Sequence, residues 1–132
     1  MLEVITVTTH SRNEMVDITS KVREVVERSE VKEGICVIYT AHTTAAITIN
    51  ENADPAVPQD ITSFFNKLVP PNAGYKHAEG NSDSHIKTTL VSPSITVIIH
   101  EGRLLLGTWQ GIFFCEYDGP RTRKVFVKVV EG

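Results

Sequence analysis

Apolar residues recur with a strand-like period at both ends of this 132-residue chain and with a helix-like period between them. Residues 2–9 are rich in Val, Ile and Thr, which is typical of a β-strand. Residues 123–131 alternate, with Val125, Val127 and Val129 on one face. This alternation predicts a half-buried strand near the C terminus.

Two segments have the helical period. The first predicts a helix over residues 17–29, with Asp17 or Thr19 as its N-cap and an apolar stripe made of Ile18, Val22, Val25 and Val26. The second is predicted to begin at Asp54-Pro55, since proline suits the first helical position. It must end near Pro70, because proline cannot continue a helix.

The other apolar runs predict five further strands, at about residues 35–41, 44–50, 94–100, 103–107 and 111–117. A long polar loop is expected from Pro70 to Asp83, followed by a short helical turn that Pro93 closes. The total is about seven strands and two main helices. Because turns link the strands of the C-terminal third, we expect mostly antiparallel pairing in a single α+β domain spanning residues 1–132.

Composition narrows the class of protein. The formal net charge of −3 disfavours general nucleic-acid binding, which needs a positive field. No apolar run approaches the ~20 residues of a membrane span, and the N-terminal residues do not have the pattern of a signal peptide. Cys36 and Cys115 each lie inside an apolar run, so we interpret them as buried thiols in a reducing compartment. A cytoplasmic protein is therefore expected.

One segment, from His77 to Lys87, carries an unusual density of side chains that bind metals or transfer protons: His77, Glu79, Asn81, Asp83, His85 and Lys87. Loops of this composition often aim several polar groups at one point and form binding or catalytic sites. A solvated polar surface loop explains the composition equally well.

Histidines offer a second pointer to a site. His42 lies at the junction of two apolar strands, whereas His77 and His85 come from the polar segment. Three imidazoles from separate places can hold one divalent ion and leave a position open for water. The spacing of His77 and His85 matches no short helical ligand motif, so separate roles remain an alternative. His10 and His100 are interpreted as structural or surface residues.

Five other residues are candidates by position. Asn50 directly follows a strand, where side chains line ligand sites or solvated turns. Arg103 and Arg121 each follow a tight turn and have the chemistry to grip phosphate, although a surface role is the default. Trp109 and Gln110 lie between glycines, which suggests a flat-ring pocket, a subunit contact or plain core packing.

Three long motifs make the chain resemble the YjbQ family, whose members are often labelled secondary thiamine-phosphate synthase. The motifs are "HTTAAITINENADP" at residues 42–55, "HAEGNSDSHIK" at 77–87 and "GRLLLGTWQGIFFCEYDGPR" at 102–121. The resemblance implies an α+β fold with a β-sandwich core and a compact homotrimer. It also implies that the polar motifs gather in a cleft at a subunit boundary, with these site residues: His42, His77, His85, Asn50, Glu79, Asn81, Asp83 and Lys87.

The family label suggests an enzyme that joins a pyrimidine-methyl diphosphate to a thiazole phosphate. Negative charge builds on the departing diphosphate, so a metal ion, Lys87 and Arg121 or Arg103 would stabilise it. Asp83 or Glu79 would orient the metal or the aminopyrimidine. Asn81, Gln110 and the stacking ring of Trp109 would contact substrate.

The kind of metal that these ligands favour does not support the synthase hypothesis over two others. Imidazole ligands favour zinc or another transition metal, whereas magnesium with diphosphate prefers oxygen ligands. The same residues fit a metal-dependent hydrolase of a small phosphorylated substrate, with Glu79 or Asp83 as the base. They also fit a non-catalytic trimer that binds a small ligand or a metal.

Overall fold

The computed structural model describes residues 1–132, which form eight β-strands and three α-helices. The strands are β1 Leu2–Thr8, β2 Glu14–Asp17, β3 Gly34–Tyr39, β4 Ala45–Glu51, β5 Ser94–His100, β6 Arg103–Leu104, β7 Gln110–Glu116 and β8 Thr122–Glu131. The helices are α1 Thr19–Ser29, α2 Ala56–Leu68 and α3 Ser82–Val91. The α+β class is confirmed.

The strands form two sheets in which every pairing is antiparallel. Five strands make the larger sheet, in the order β1-β8-β3-β5-β6, and three make the smaller, in the order β2-β7-β4. The inner faces of both sheets and the apolar stripe of α1 share one hydrophobic core. Apolar burial of this kind contributes about 25 cal/mol per Å², so this shared core holds the two sheets together.

The other face of the smaller sheet carries a second, smaller core. Phe113, Cys115 and Tyr117 lie there, with Phe65 of α2 and Val91 of α3 packed against them. Both helices therefore cover the smaller sheet from outside. The outer face of the larger sheet has no helix against it.

The helices depart in part from the predicted pattern. The expected short turn after Asp83 is a ten-residue helix, α3. Its buried residues are Asp83, Ser84 and Lys87, whereas Ile86 and Leu90 are exposed. Because α3 turns a polar stripe inward, apolar periodicity could not reveal its length.

The strands differ from prediction in two places. The four-residue strand β2 has no clear alternation and forms because β7 offers it a partner edge. The strand expected over residues 103–107 is limited to Arg103–Leu104.

Both predicted helix starts depend on aspartate side chains. Asp17 accepts hydrogen bonds from the amide and hydroxyl of Thr19, although the cap position itself is Ile18. Asp54 accepts a hydrogen bond from the amide of Ala56, 2.9 Å away. These bonds satisfy amides that the first helical turn leaves without partners.

Both cysteines are buried and free, as expected. Burial raises the pKa of Cys36 to about 11 and that of Cys115 to about 12, so neither is a thiolate at neutral pH. None of the three helices has the length and apolarity needed to cross a membrane.

Candidate functional site

The inward face of α3 places two of the predicted catalytic residues in the interior. Asp83 is 1% exposed and Lys87 is 0% exposed. One turn of helix separates them, and the Lys87 Nζ lies 3.7 Å from the Asp83 Oδ2. Neither side chain reaches a solvent-filled hollow, so the two residues act as a buried ion pair.

Lys87 is held by two asparagine side chains from other elements. Its Nζ donates to the Oδ1 of Asn66, 2.7 Å away on α2, and to the Oδ1 of Asn13, 3.1 Å away. Burial lowers the pKa of Lys87, and the nearby carboxylate of Asp83 opposes part of that shift. The ammonium thereby joins α2, α3 and the segment before β2.

Arg12 connects α3 to the turn after β7. Its guanidinium donates to the Oδ1 of Asp83 at 3.0 Å and lies 3.6 Å from the Oδ1 of Asp118. Asp118 also accepts hydrogen bonds from Asn81, at 2.9 Å, and from Arg121, at 2.8 Å. Asn81 and Arg121 are therefore bound within this ion-pair network.

Two imidazoles of the polar segment meet at the start of α3. The rings of His77 and His85 stand edge to face, with centroids 5.4 Å apart. The Nδ1 of His77 is 3.0 Å from the hydroxyl of Ser82, and its Nε2 is 3.7 Å from the Oε1 of Glu79. The ring nitrogens of His85 make no hydrogen bond within the chain.

His85 and His42 line the same open hollow, whose volume is about 610 Å³. Residues 39–43 form one wall and the C-terminal half of α3 with Pro93 forms the other. His85 therefore contacts His77 on one side and faces the hollow that contains His42 on the other. We refer to this place as the histidine hollow.

The backbone of β8 holds the ring of His42 in place. The Nε2 of His42 accepts a hydrogen bond from the amide of Lys124, 3.1 Å away. Burial and the guanidinium of Arg123 lower the pKa of His42 below its ordinary value of 6.5, while Glu116 partly opposes them. Both effects favour the neutral imidazole of His42.

Beneath His42 lies a buried ion pair between Glu116 and Arg123. The Nε of Arg123 donates to Glu116 at 2.8 Å, and its Nη2 makes a second bond to the same carboxylate. Glu116 also accepts from the hydroxyl of Thr9, at 2.8 Å. Arg123 further donates to the hydroxyl of Thr44 at 2.9 Å, so this pair anchors the loop that carries His42.

The predicted three-imidazole metal site is not assembled within one chain. No group of three or more His, Cys, Asp or Glu side chains lies together in a way that could hold a metal ion. His42 directs its Nε2 to a backbone amide, whereas His77 and His85 are in ring-to-ring contact. One chain therefore supplies two imidazoles, and further ligands would have to come from elsewhere.

Four predicted substrate or catalytic residues lie away from the histidine hollow. Asn50 and Gln110 are at the end of the smaller sheet opposite Ala45, roughly 20 Å along the strands. Arg103 pairs with His100, at the end of β5 opposite Pro93. The ring of Trp109 is 63% exposed in the turn before β7. The structure does not bring these four residues to the hollow.

Sequence reasoning missed three residues that organise the site: Arg12, Asn13 and Asn66. Arg12 and Asn13 stand in an unremarkable polar stretch, and Asn66 lies among the apolar positions of α2. Their importance comes from contact with Asp83 and Lys87, which are about 20 to 75 positions away along the chain. No local pattern carries that signal.

Replacing Lys87 by methionine is expected to lower the free energy of unfolding by about 2 kcal/mol, because Asn13 and Asn66 lose the donor that satisfies their part-buried oxygens. Urea unfolding followed by circular dichroism measures the change. Lys67→Met, at an exposed position of α2, is the matched control and should change stability little. Equal effects of the two substitutions would contradict a structural role for Lys87.

Comparison with known proteins gives consistent matches along almost the whole chain. The family model described as "UPF0047 protein YjbQ-like" matches residues 3–132. A UPF0047 protein of Methanocaldococcus jannaschii is 57% identical over 122 residues, which is 92% of this chain and 88% of that protein. The UPF0047 protein YugU of Bacillus subtilis is 46% identical over 131 residues, covering 98% of this chain and 99% of that protein.

Solved structures match equally well. A yjbq/upf0047 family protein from Clostridium acetobutylicum superposes with a TM-score of 0.95 at 49% identity, covering 97% of this chain and 99% of that one. A protein of unknown function from Sulfolobus solfataricus superposes with a TM-score of 0.96 at 36% identity, covering 100% of this chain and 97% of that one. These relatives share the fold described above.

Proposed function

The chain belongs to the YjbQ-like UPF0047 family, and from that premise we propose that it is an enzyme acting on a small phosphorylated molecule in the histidine hollow. The observation that carries the proposal is the position of His85. It lies 5.4 Å from His77 by ring centroids and lines the same hollow as His42. Two imidazoles from distant motifs thus line one solvent-reachable volume, with His77 in contact with one of them, and such groups suit general acid–base chemistry.

Charge around the hollow favours an anionic substrate. Arg123, Arg121 and Lys124 are all near enough to His42 to lower its pKa. Arg123 is neutralised by Glu116, and Arg121 is paired with Asp118. Lys124, which forms no ion pair within the chain, is the cation left to attract a phosphate group.

The proposed reaction is transfer of the thiamine-phosphate-synthase type, in which a diphosphate leaves. The buried position of Lys87 changes the role expected for it, because a sealed ammonium cannot touch the leaving group. Lys124 and the imidazole of His85 take over charge stabilisation and proton transfer at the hollow. Asp83 is a positioning residue that fixes α3, and hence His85, through Arg12.

Hydrolysis of a small phosphorylated substrate is the second candidate, and one contact favours it. The Nε2 of His77 is 3.7 Å from the carboxylate of Glu79, which is largely exposed. A carboxylate beside an imidazole can accept a proton from an attacking water. His77 is in ring contact with His85, so the pair lies beside the residue that lines the hollow.

A divalent metal is the alternative to proton transfer by His85 in this proposal, with His77 and His85 as two of its ligands. Imidazole nitrogens suit zinc or another transition metal better than magnesium. When bound, such an ion would neutralise charge on phosphate oxygens. The remaining ligands would come from substrate, water or a second copy of the chain.

We further propose that the chain forms a homotrimer through the outer face of its larger sheet. This sheet face carries these apolar residues, each at least 40% exposed: Leu2, Val4, Ile35, Tyr39, Ile98 and Val130. Lys124 and Lys128 lie on the same face, on β8. The strand register aligns Val4, Phe126 and Tyr39 in one apolar row across three strands. Exposed apolar residues clustered on one sheet face are typical of interaction sites.

The sheet face continues into the histidine hollow through Tyr39, which belongs to both. A second copy seated on the face would therefore border the hollow and restrict water access to it. Association of copies and formation of the site are coupled in this proposal.

Replacing Ile98 by glutamate is expected to dissociate the trimer, because it places a charge in the middle of the apolar sheet face. Light scattering coupled to size exclusion should change from three times the 14.6 kDa chain mass to one. Leu68→Glu is the matched control, since Leu68 on α2 is equally exposed at 56%. A wild-type monomer, or dissociation by the control alone, would contradict this interface.

The function is tested by supplying purified protein with the pyrimidine-methyl diphosphate and the thiazole phosphate and measuring thiamine phosphate. A parallel reaction without the thiazole measures released phosphate, and elemental analysis measures bound metal. Thiamine phosphate formed in proportion to enzyme supports transfer, whereas phosphate release alone supports hydrolysis. If neither product forms while the metal content and the trimer are intact, the enzyme proposal is wrong. The non-catalytic binding protein is then the hypothesis that remains.

A further inference from the structure

A second hollow lies between α2 and the segment leading into β2, on a part of the chain that does not contribute to the histidine hollow. Its volume is about 530 Å³, which is within the range of small-molecule sites. Asn13 and Asn66 both line it, and these are the two residues that hold Lys87. We call it the asparagine hollow.

Lys87 determines which way the two amides face. An ammonium group only donates hydrogen bonds, so each asparagine must turn its carbonyl oxygen toward Nζ, at 3.1 Å for Asn13 and 2.7 Å for Asn66. The NH₂ groups are consequently directed away from the ammonium. Neither NH₂ group donates a hydrogen bond within the chain.

More donors surround the same volume. Gln59, Thr62 and Ser63 line the hollow from α2, and none of their side chains makes a hydrogen bond within the chain. The buried charge of Lys87 polarises the two asparagine amides and strengthens them as donors. The hollow thus presents several uncommitted donors with a fixed cation behind them.

From this arrangement we infer that the asparagine hollow binds the carboxylate group of a small organic acid, with the NH₂ groups of Asn13 and Asn66 as its principal donors. Met15 and Pro58 also line the hollow and provide an apolar wall for the alkyl part of the acid.

Glu14 determines the charge of the ligand. Its carboxylate lines the hollow, and its Oε1 accepts hydrogen bonds from the backbone amides of His10 and Ser11. Glu14 is the only carboxylate that lines the hollow. Its negative charge repels a phosphate dianion more strongly than a monoanionic carboxylate ligand. The hollow therefore selects a monoanion over the phosphate dianion.

Side-chain amide signals in ¹⁵N–¹H NMR spectra of the full-length protein report on this site directly. Butyrate at about 50 mM, well above a millimolar Kd, is expected to shift the NH₂ signals of Asn13 and Asn66. Butyramide, which has the same shape without the charge, and inorganic phosphate, at a pH where its dianion predominates, should shift them much less. No shift with butyrate, or a larger shift with phosphate, would overturn the proposal.

The variant Asn66→Asp separates binding from folding. Aspartate keeps an oxygen for Lys87 but removes the NH₂ donor, so we expect butyrate affinity, read at Asn13, to fall by about tenfold. Asn72→Asp, in the exposed loop after α2, is the matched control and should leave the affinity unchanged. Unchanged affinity in a folded Asn66→Asp protein would refute the site, whatever the outcome of the enzyme assays.

Discussion

Replacing Glu116 by alanine is expected to lower the free energy of unfolding by about 3–5 kcal/mol, because it leaves the buried guanidinium of Arg123 without its partner. Glu116 is 0% exposed and its oxygens accept hydrogen bonds from Arg123, from the hydroxyl of Thr9 and from the amide of Asp118. All of these donors lose their acceptor together. Urea unfolding at pH 7 measures the loss.

An exposed ion pair of the same type is the control. Arg28 and Glu3 lie 2.9 Å apart at the surface, and Glu3→Ala is expected to cost less than about 1 kcal/mol. A loss in Glu116→Ala no greater than that in Glu3→Ala would show that the buried pair does not stabilise the fold.

Acid should weaken the protein partly through the same carboxylate. Burial alone raises the pKa of Glu116, but the hydrogen bonds from Arg123, Asp118 and Thr9 outweigh it, and the net pKa lies below the ordinary value of 4.5. A lowered pKa in the folded state adds stability above pH 4.5, and this stability is lost as the pH falls through the folded-state pKa. Glu116→Gln should therefore lose less stability than the wild type between neutral pH and acid.

Replacing His85 by glutamine is expected to lower kcat/KM about 10²- to 10⁴-fold, the usual contribution of a general acid or base. His85 is the imidazole that lies both beside His77 and in the hollow with His42, and its ring nitrogens make no hydrogen bond within the chain. Glutamine keeps polarity and approximate size without a titratable nitrogen. Initial rates of thiamine phosphate formation or phosphate release, whichever the wild type shows, measure the effect.

His100→Gln is the control for His85→Gln. His100 pairs with Glu33 on the surface, at the end of β5 opposite the hollow, so its replacement should leave the rate unchanged. Equal rates in the His85 variant and the wild type, with both folded, would remove His85 from the chemistry.

The pH profile of the wild-type enzyme tests the role of His42 independently. Because its pKa lies below 6.5, a rate that depends on neutral His42 should decline only below that value.

Sequence periodicity predicted most of the fold. The alternation of Val125, Val127 and Val129 and the stripe of α1 correspond to side chains that are buried in the shared core. These elements bury apolar faces, and a buried apolar face appears in the sequence as apolar residues at a regular spacing. In α3 the buried face consists of Asp83, Ser84 and Lys87, so the same method predicted only a short turn.

The site residues named from the sequence stay a prediction, but the structure shows where they lie. His42 and His85 line one hollow, and His77 is in ring contact with His85. Asp83 and Lys87 appeared catalytic because acids and amines in a polar segment suggest chemistry. Burial, which a sequence does not state, makes them the internal ion pair of α3.

The sequence by itself determined most of the strands, the two apolar helices, the family and the segments that carry the histidines, since each depends on neighbouring residues or on a continuous motif. Only the tertiary structure decided which side chains face a hollow and which are sealed. Lys87 and Asn13 are 74 positions apart, yet their contact at 3.1 Å arises from the packing of α3 against the segment before β2. Such contacts depend on how whole elements pack, and burial then decides whether a charged group binds a ligand or stabilises the fold.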